Sequence, residues 1–530
     1  MTRAIAIATF APSLSPPPGN PACSPWVLDG APEDGNGFEA VPARAVAADA
    51  DADAAEEIIL FGEISRAHER LSSFSEILRG SGQRPGPPLA KGASSGDKSG
   101  MVDIAARVWN HKWKIDPIVR SLIDTDFYKL LMCQSVFRNR PDTSVTFSLI
   151  NRTPSVPLAR LIDEGELREQ LDHIRSLSLR RGESTWLRGN TFYGKRQMFR
   201  PDFMEWFENL RLPPYHLERV GDQYELTFEG SWPEVMLWEI PALAVLMELR
   251  GRAVLRDLGK FELQVLYARA MTKLWEKVER LRRLEGLRIA DFGTRRRHSF
   301  LWQDWAVQAM REGLGEAFIG TSNCLIALRR ELEAIGTNAH ELPMVYAALA
   351  ENDSELAEAP YEVLADWHEE HEGNLRIMLP DTYGTEGFLK NAPDWLAGWT
   401  GIRIDSGDPV EGAEIAIRWW KERGENPEEK LVIFSDGLDV GKVEELHKRF
   451  SGRARVSFGW GTLLTNDFRG LVPGDGLAPF SLVCKAVAAN GRPTVKLSDN
   501  PAKAMGPADE IARYKRVFGV GAQTRREVLV

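Results

Sequence analysis

Cysteine is scarce in this chain: Cys23, Cys133, Cys324 and Cys484 are the four in 530 residues. They lie far apart, with no CxxC pair and no histidine at ligand spacing. That excludes a disulfide framework and a structural zinc, and a reducing cytoplasm is the compartment that fits. No run of about 18 apolar residues occurs, so no membrane-spanning helix is expected. Positive charge is not in excess either. Sixty-six Lys and Arg stand against 76 Asp and Glu, a formal net charge of -10, which argues against a protein that grips nucleic acid with its whole surface. Any anion site must be local. The opening MTRAIAIATFAPS, with one arginine and a short apolar run, makes a poor secretory signal.

What is present is an ordinary globular composition, 43% hydrophobic, in a chain long enough for two or three domains. Residues 1–100 differ from the rest. They are rich in Ala, Pro, Gly, Ser and Asp, as in SPPPGNPACSP and AVAADADADAAEE, and such text buries too little apolar surface to offset the entropy of ordering. A disordered tail is expected there, with one marginal helix over 58–78 that Gly62 weakens. Globular patterning starts at Met101, and the working hypothesis is that Met101 is the translational start.

An N-terminal α+β domain is expected over 101–256. In SLIDTDFYKLLMCQSVF, Asp124, Thr125 and Asp126 precede an apolar face of Leu130, Leu131 and Phe137, as capping residues do. Phe127 and Tyr128 then fall in the first turn, where an aromatic ring can stack on a ligand. TSVTFSLINR reads as a strand. Residues 258–284 read as a long helix, with Phe261, Val265, Ala268, Met271, Trp275, Val278 and Leu281 as its packing face.

Over 257–480 the text repeats a unit of short apolar strand, polar turn and amphipathic helix. LRIADFGTRR, EAFIGTSN, LRIMLPDTYGT, TGIRIDSGDP, KLVIFSDGLD and RVSFGWGT carry the strands, with helices expected at 300–311, 325–334, 411–423 and 442–450. Alternation of this kind implies an α/β fold with a parallel sheet. Because Gly and Asp turns follow so many strands, closure into an irregular βα barrel is preferred to an open sheet. In 481–530, alternating runs around Asn490-Gly491 signal a hairpin, expected outside the barrel and against the N-terminal domain.

The turns carry the chemistry. Gly293, Gly320, Gly336, Gly384, Gly407, Gly437 and Gly461 permit close backbone approach, and Thr294, Thr321, Thr337, Thr385 and Thr462 stand beside five of them. Such a set suits a sugar phosphate. Arg295, Arg296 and Arg297 follow one Gly-Thr turn; an arginine run is either a solvated face or, in an acidic protein, a phosphate contact for at least Arg295. Asp405 and Asp408, then Asp436 and Asp439, read as ribose or cation partners, with helix capping as the plainer role for Asp408 and Asp439. His340 and His298 are the histidines of interest. A neutral imidazole in an anion pocket can attack phosphorus, and Glu341 is placed to orient the ring of His340; a structural histidine is the plainer reading of either position.

LIDTDFYKLLM, DFGTRRRHS, GTSN, GTNAHE, RIDSGDP, FSDGLD, FGWGT and KAVAANGRPTVKLSDNPAK, in that order, resemble the nicotinate phosphoribosyltransferases, over about residue 101 to the C-terminal region. The resemblance implies a type II phosphoribosyltransferase barrel. It also implies synthesis of nicotinate mononucleotide and diphosphate from nicotinate and phosphoribosyl diphosphate, the first step from nicotinate to NAD. ATP as co-substrate, Mg²⁺ and a cytoplasmic homodimer with shared active sites go with it. By the same resemblance His340 is the phosphohistidine, and the charge that develops in the transfer makes Arg295 the partner of the leaving diphosphate and Asp405 the group facing the cation at C1. Tyr128 is the stacking aromatic, often from the other subunit, and Arg403, Thr337, Ser435, Asp436, Gly461 and Thr462 bind substrate. A nicotinamide or quinolinate enzyme is a runner-up, the first disfavoured by Ser322, which stands where nicotinamide-using relatives carry Asp, and the second by the GTNAHE histidine and the long N-terminal domain; a non-catalytic sugar-phosphate sensor is another.

Overall fold

The computed structural model describes residues 103–110 and 117–521. The expectations for residues 1–100, including the 58–78 helix and the start at Met101, lie outside the described residues. No described helix is long and apolar enough to cross a membrane.

Two sheets organise the described chain. The first uses β1 (Ser144–Asn151), β2 (Tyr215–Val220) and β3 (Gln223–Ser231). The second uses β4 (Ile289–Asp291), β5 (Phe318–Thr321), β6 (Ile377–Met378), β7 (Gly401–Ile404), β8 (Leu431–Phe434) and β9 (Arg455–Trp460). The chain then returns to the first sheet with β10 (Leu482–Ala489) and β11 (Arg492–Pro493).

The first sheet is antiparallel, in the order β11-β10-β1-β3-β2. Alternation in β1 buries Val145, Phe147 and Leu149, as period-two patterning requires. β10 pairs with β1 in a register that sets Ser148 opposite Lys485, so the C-terminal hairpin completes a sheet begun by the N-terminal segment. Asn490 and Gly491 take φ of 46° and 76° at its tip, the left-handed pair that a tight hairpin turn demands.

The second sheet is wholly parallel, ordered β5-β4-β9-β8-β7-β6. β5 and β6 are its two ends, so its ladder does not close. The segment after β5 spans the interval: Thr321 N donates to Glu333 O (3.2 Å) and Ile335 N to Thr321 O (2.9 Å), while Asn338 Nδ2 reaches Ile377 O at 3.3 Å. The closed barrel expected from the sequence is thus met by a six-stranded sheet whose ends one irregular segment bridges. With β6 only two residues long, there is little edge for a ladder to form on.

Helices α1 (Phe127–Asn139), α2 (Glu239–Leu255) and α3 (Lys260–Leu281) precede the parallel sheet; α4 (Phe300–Leu314), α5 (Cys324–Arg330), α6 (Glu341–Leu349), α7 (Pro409–Glu422) and α8 (Val440–Phe450) are among those interleaved with it. In α3 the buried face is Leu263, Leu266, Tyr267, Ala270, Leu274, Val278 and Leu281. This corrects most of the face read from the sequence: Val278 and Leu281 are buried as expected, but Phe261 is 80% exposed, Val265 53% and Trp275 39%. The helix carries two apolar stripes at helical spacing, and packing against α4 selected one. The helix expected at 325–334 stops early, because Glu331 turns left-handed at φ 52°.

Candidate active site

The turns at the C-terminal ends of the parallel strands face the antiparallel sheet across a cleft. Ligands in parallel α/β folds bind at that end. β4 contributes Gly293, Arg295 and Arg296 through its following turn, β5 contributes Ser322, and the bridging segment contributes Gly336, Thr337 and His340. Arg403 and Asp405 come from β7 and its turn, Ser435 and Asp436 from β8, Gly461 and Thr462 from β9. The opposite wall carries Asp126 and Tyr128 at the start of α1, Arg152 after β1, and Lys485 on β10. The ten residues given catalytic or substrate-binding roles from the sequence (Tyr128, Arg295, Thr337, His340, Arg403, Asp405, Ser435, Asp436, Gly461 and Thr462) therefore line one cleft within one chain. Gly336 makes the join close: a Cβ there would stand 2.6 Å from Tyr128 N.

Charge is concentrated here. Arg152, Arg295, Arg296, Arg403, Lys485, Lys496 and Lys503 line the cleft against three carboxylates, Asp126, Asp405 and Asp436. An acidic protein thus holds a cationic hollow, where low-dielectric walls strengthen attraction for anions. Sequence reasoning missed Arg152, Lys485, Lys496 and Lys503, and left Arg296 within an undivided arginine run. The three lysines were in sight, since each falls within KAVAANGRPTVKLSDNPAK, but nothing local says that this hairpin folds back over the parallel sheet.

His340 is buried at the centre. Its Nδ1 lies 2.9 Å from Thr382 Oγ1 and its Nε2 3.0 Å from Asp405 Oδ2, with Asp381 Oδ2 at 3.6 Å. Burial pushes the imidazole down to about 4, against the pull of Asp381 and Asp405, so the ring is neutral at pH 7 and one nitrogen keeps a lone pair. Asp405 is itself held by Ser435 Oγ at 2.5 Å, and Asp381 by Ser406 Oγ at 2.5 Å. Glu341 does not orient the ring. It is turned away into a buried pair with Lys129 and accepts from Trp232 Nε1 at 2.8 Å.

Other candidates leave the site. Arg297 is fully buried and pairs with Asp124. His298 lies in the core, 2.9 Å from Tyr267 Oη and stacked on Phe468 at 3.8 Å, and burial pushes it down to about 3. Asp408 caps α7 through Val410 N and Glu411 N, and Asp439 caps α8 through Lys442 N. Asp126, by contrast, makes no cap. It accepts Ser322 Oγ at 2.6 Å, and burial raises its carboxyl to about 6. Gly320, Gly384 and Gly407 are not on the cleft, and Thr321 and Thr385 spend their hydroxyls on Asp291 and Asp499.

The nicotinate phosphoribosyltransferase (NAPRTase) family model matches residues 287–522, and the model of its N-terminal domain matches residues 123–247. The solved nicotinate phosphoribosyltransferase from Vibrio cholerae is 30% identical, with a TM-score of 0.68 over 77% of this chain and 95% of that one. The chain belongs to the nicotinate phosphoribosyltransferase family. A second structure of this name, from Porphyromonas gingivalis, is 29% identical with a TM-score of 0.67, covering 76% of this chain and 100% of that one. Family membership supports a phosphoribosyltransferase activity in NAD biosynthesis, and both matched segments contribute lining residues to the cleft.

Among the described residues no group of three or more His, Cys, Asp or Glu forms a metal cage. Of the carboxylates on the cleft, Asp405 accepts from Ser435 and pairs with His340, and Asp436 pairs with Lys503 at 2.6 Å.

Proposed function

We propose that the chain converts nicotinate and phosphoribosyl diphosphate to nicotinate mononucleotide and diphosphate, with ATP hydrolysis coupled through phosphorylation of His340. The observation that carries this reading is the convergence of seven cationic side chains on a cleft with a buried neutral histidine at its centre. A substrate bearing a phosphate and a diphosphate matches that charge, and a pyridine carboxylate adds one more anion.

The chemistry follows from charge. The C1–O bond to diphosphate breaks as the pyridine nitrogen lone pair forms the C1–N bond, and no proton moves. Arg295, Lys496 and Lys503 stabilise the leaving diphosphate, and Asp405 faces the oxocarbenium character at C1. Magnesium carried on the substrate phosphates would neutralise further charge on the leaving group. Tyr128 stacks on the pyridine ring, and Arg403 takes its carboxylate. Thr337, Thr462 and the backbone at Gly461 and Ser435 hold the sugar phosphate.

In the coupled half-reaction a His340 lone pair attacks the γ-phosphorus of ATP as the P–O bond to ADP breaks. The Asp405 and Asp381 carboxylates, which can only accept, fix the ring proton on Nε2, so the lone pair lies on Nδ1 beside Thr382 Oγ1, and the two carboxylates balance the charge that grows on the imidazole.

Ser322 alone does not explain a preference for the acid over the amide, because its hydroxyl is engaged by the neighbouring Asp126 carboxyl. Arg403 is the better selector, with its Nε free of hydrogen bonds and its Nη2 on Asn338 O. The test offers nicotinate, nicotinamide and quinolinate in turn with phosphoribosyl diphosphate and follows diphosphate release with and without ATP. Release with nicotinate alone, raised by ATP, is expected. Preference for either other base sinks the reading in favour of that substrate, and no release with any base favours a sensor.

A second expectation concerns the homodimer with shared sites. Since Tyr128 and His340 line the same cleft of one chain, mixing Tyr128→Ala with His340→Ala protein should restore no ATP-coupled activity. Recovery on mixing would mean that the partner's Tyr128 completes the site.

A further inference from the structure

Beneath the cationic wall lies a buried group of charges with no part in the steps above. Lys129 Nζ, fully buried in α1, sits between Glu239 at the start of α2 (2.6 Å) and Glu341 at the start of α6. The second oxygen of Glu239 points the other way. Glu239 Oε1 is buried and makes no hydrogen bond, yet it stands 3.5 Å from Lys485 Nζ and 3.7 Å from Arg295 Nη1. That separation attracts both cations and occupies no donor of either. The donors of Lys485 and Arg295 thus remain available to an anion in the cleft.

We infer that Glu239 is a positioning residue for the phosphate-binding wall, holding Lys485 charged and, with Arg295, aimed into the cleft. The inference rests on the function proposed above in taking that wall as the one that meets substrate phosphates. Three elements contribute to the arrangement: α1 supplies the Lys129 that anchors one oxygen of Glu239, the turn after β4 supplies Arg295, and β10 supplies Lys485. None of these contacts is local in sequence.

Lys485 needs such a partner. Burial depresses its ammonium, and Arg295, Lys129 and Arg152 depress it further, whereas Glu239 raises it. The sign is therefore determinate: without the Glu239 charge, Lys485 loses its proton at lower pH.

The experiment measures calorimetric binding of inorganic diphosphate to the full chain at pH 7 and pH 9. It needs no turnover, so failure of nicotinate transfer would leave it intact. In Glu239→Gln the ratio of affinity at pH 7 to that at pH 9 should grow by roughly fivefold over wild type. Lys496, which burial pushes down to about 8, titrates in the same range; it is present in both proteins and cancels in the comparison. Adding Lys485→Arg, whose guanidinium stays charged, should return the ratio to the wild-type value or below. An equal loss at both pH values, or a shift that survives Lys485→Arg, overturns the inference. Should Glu239→Gln fail to fold, Glu239→Asp keeps the charge on a shorter arm. It should then show a smaller change in the same direction, and an unchanged ratio would again overturn it.

Discussion

His340→Ala protein should hydrolyse ATP more slowly by on the order of a thousandfold or more, while retaining ATP-independent transfer to nicotinate. The two outcomes separate because the two half-reactions ask different things of the site. Attack on the γ-phosphorus needs the imidazole lone pair, which burial keeps unprotonated near neutrality. Attack by the pyridine nitrogen needs only that C1 and the ring be held together and that diphosphate be stabilised as it leaves. Those tasks fall to Arg295, Lys496, Lys503 and Tyr128, which the substitution leaves in place. Initial rates of ADP and diphosphate release, measured together over a range of ATP concentrations, read both terms. Unchanged ATP turnover would remove His340 from the reaction.

Arg297→Leu should cost about 3–5 kcal/mol of unfolding free energy, because it strands a buried carboxylate. Arg297 meets Asp124 through both terminal nitrogens, at 2.7 and 3.0 Å, and donates to Ile118 O at 2.9 Å. Asn323 Nδ2 completes the shell of Asp124 at 2.9 Å. Both partners are fully buried. Burial raises the Asp124 carboxyl, but Arg297 and Asn323 outweigh it and the folded value lies below the usual carboxylate range. A carboxylate depressed in the folded state stabilises above its unfolded pKa. That contribution is lost as pH falls through the folded value, so the variant should also lose part of the wild type's acid sensitivity. Arg160→Ala, which removes an exposed pair with Asp222, is the control and should cost no more than about 1 kcal/mol. Equal effects in urea denaturation would show that the Arg297 pair has no special weight. The pair ties the turn after β4 to the segment before α1, and so fixes the join between the walls of the cleft.

Much of the site was legible because its motifs are local. A short apolar strand followed by a Gly-Thr or Asp-Ser-Gly turn encodes both the element and the exposure of its end. Asp405 and Asp436 could therefore be placed on one rim by counting units, whereas His340 and Arg403 were singled out by resemblance to the family. The arginine run could not be divided that way. Arg295, Arg296 and Arg297 are identical in type and adjacent, yet two line the cleft and one is a core strut, because the turn aims successive side chains in different directions. The partner of His340 was misread for a similar reason. Glu341 is next in sequence but opens α6 on the side facing Lys129, and the groups that hold the imidazole come from the turns after β6 and β7.

By itself the sequence determined the alternation of strand and helix, the rim on which the polar turns lie and the Asn490-Gly491 hairpin. Each of these depends on backbone preferences and side-chain periodicity within a few residues. Only the tertiary structure decided which stripe of α3 is buried, how far the parallel sheet closes, and that the hairpin strand β10 pairs with β1 to carry Lys485 over the cleft. Those outcomes depend on which surfaces, distant along the chain, exclude water together, and local patterning carries no record of that choice.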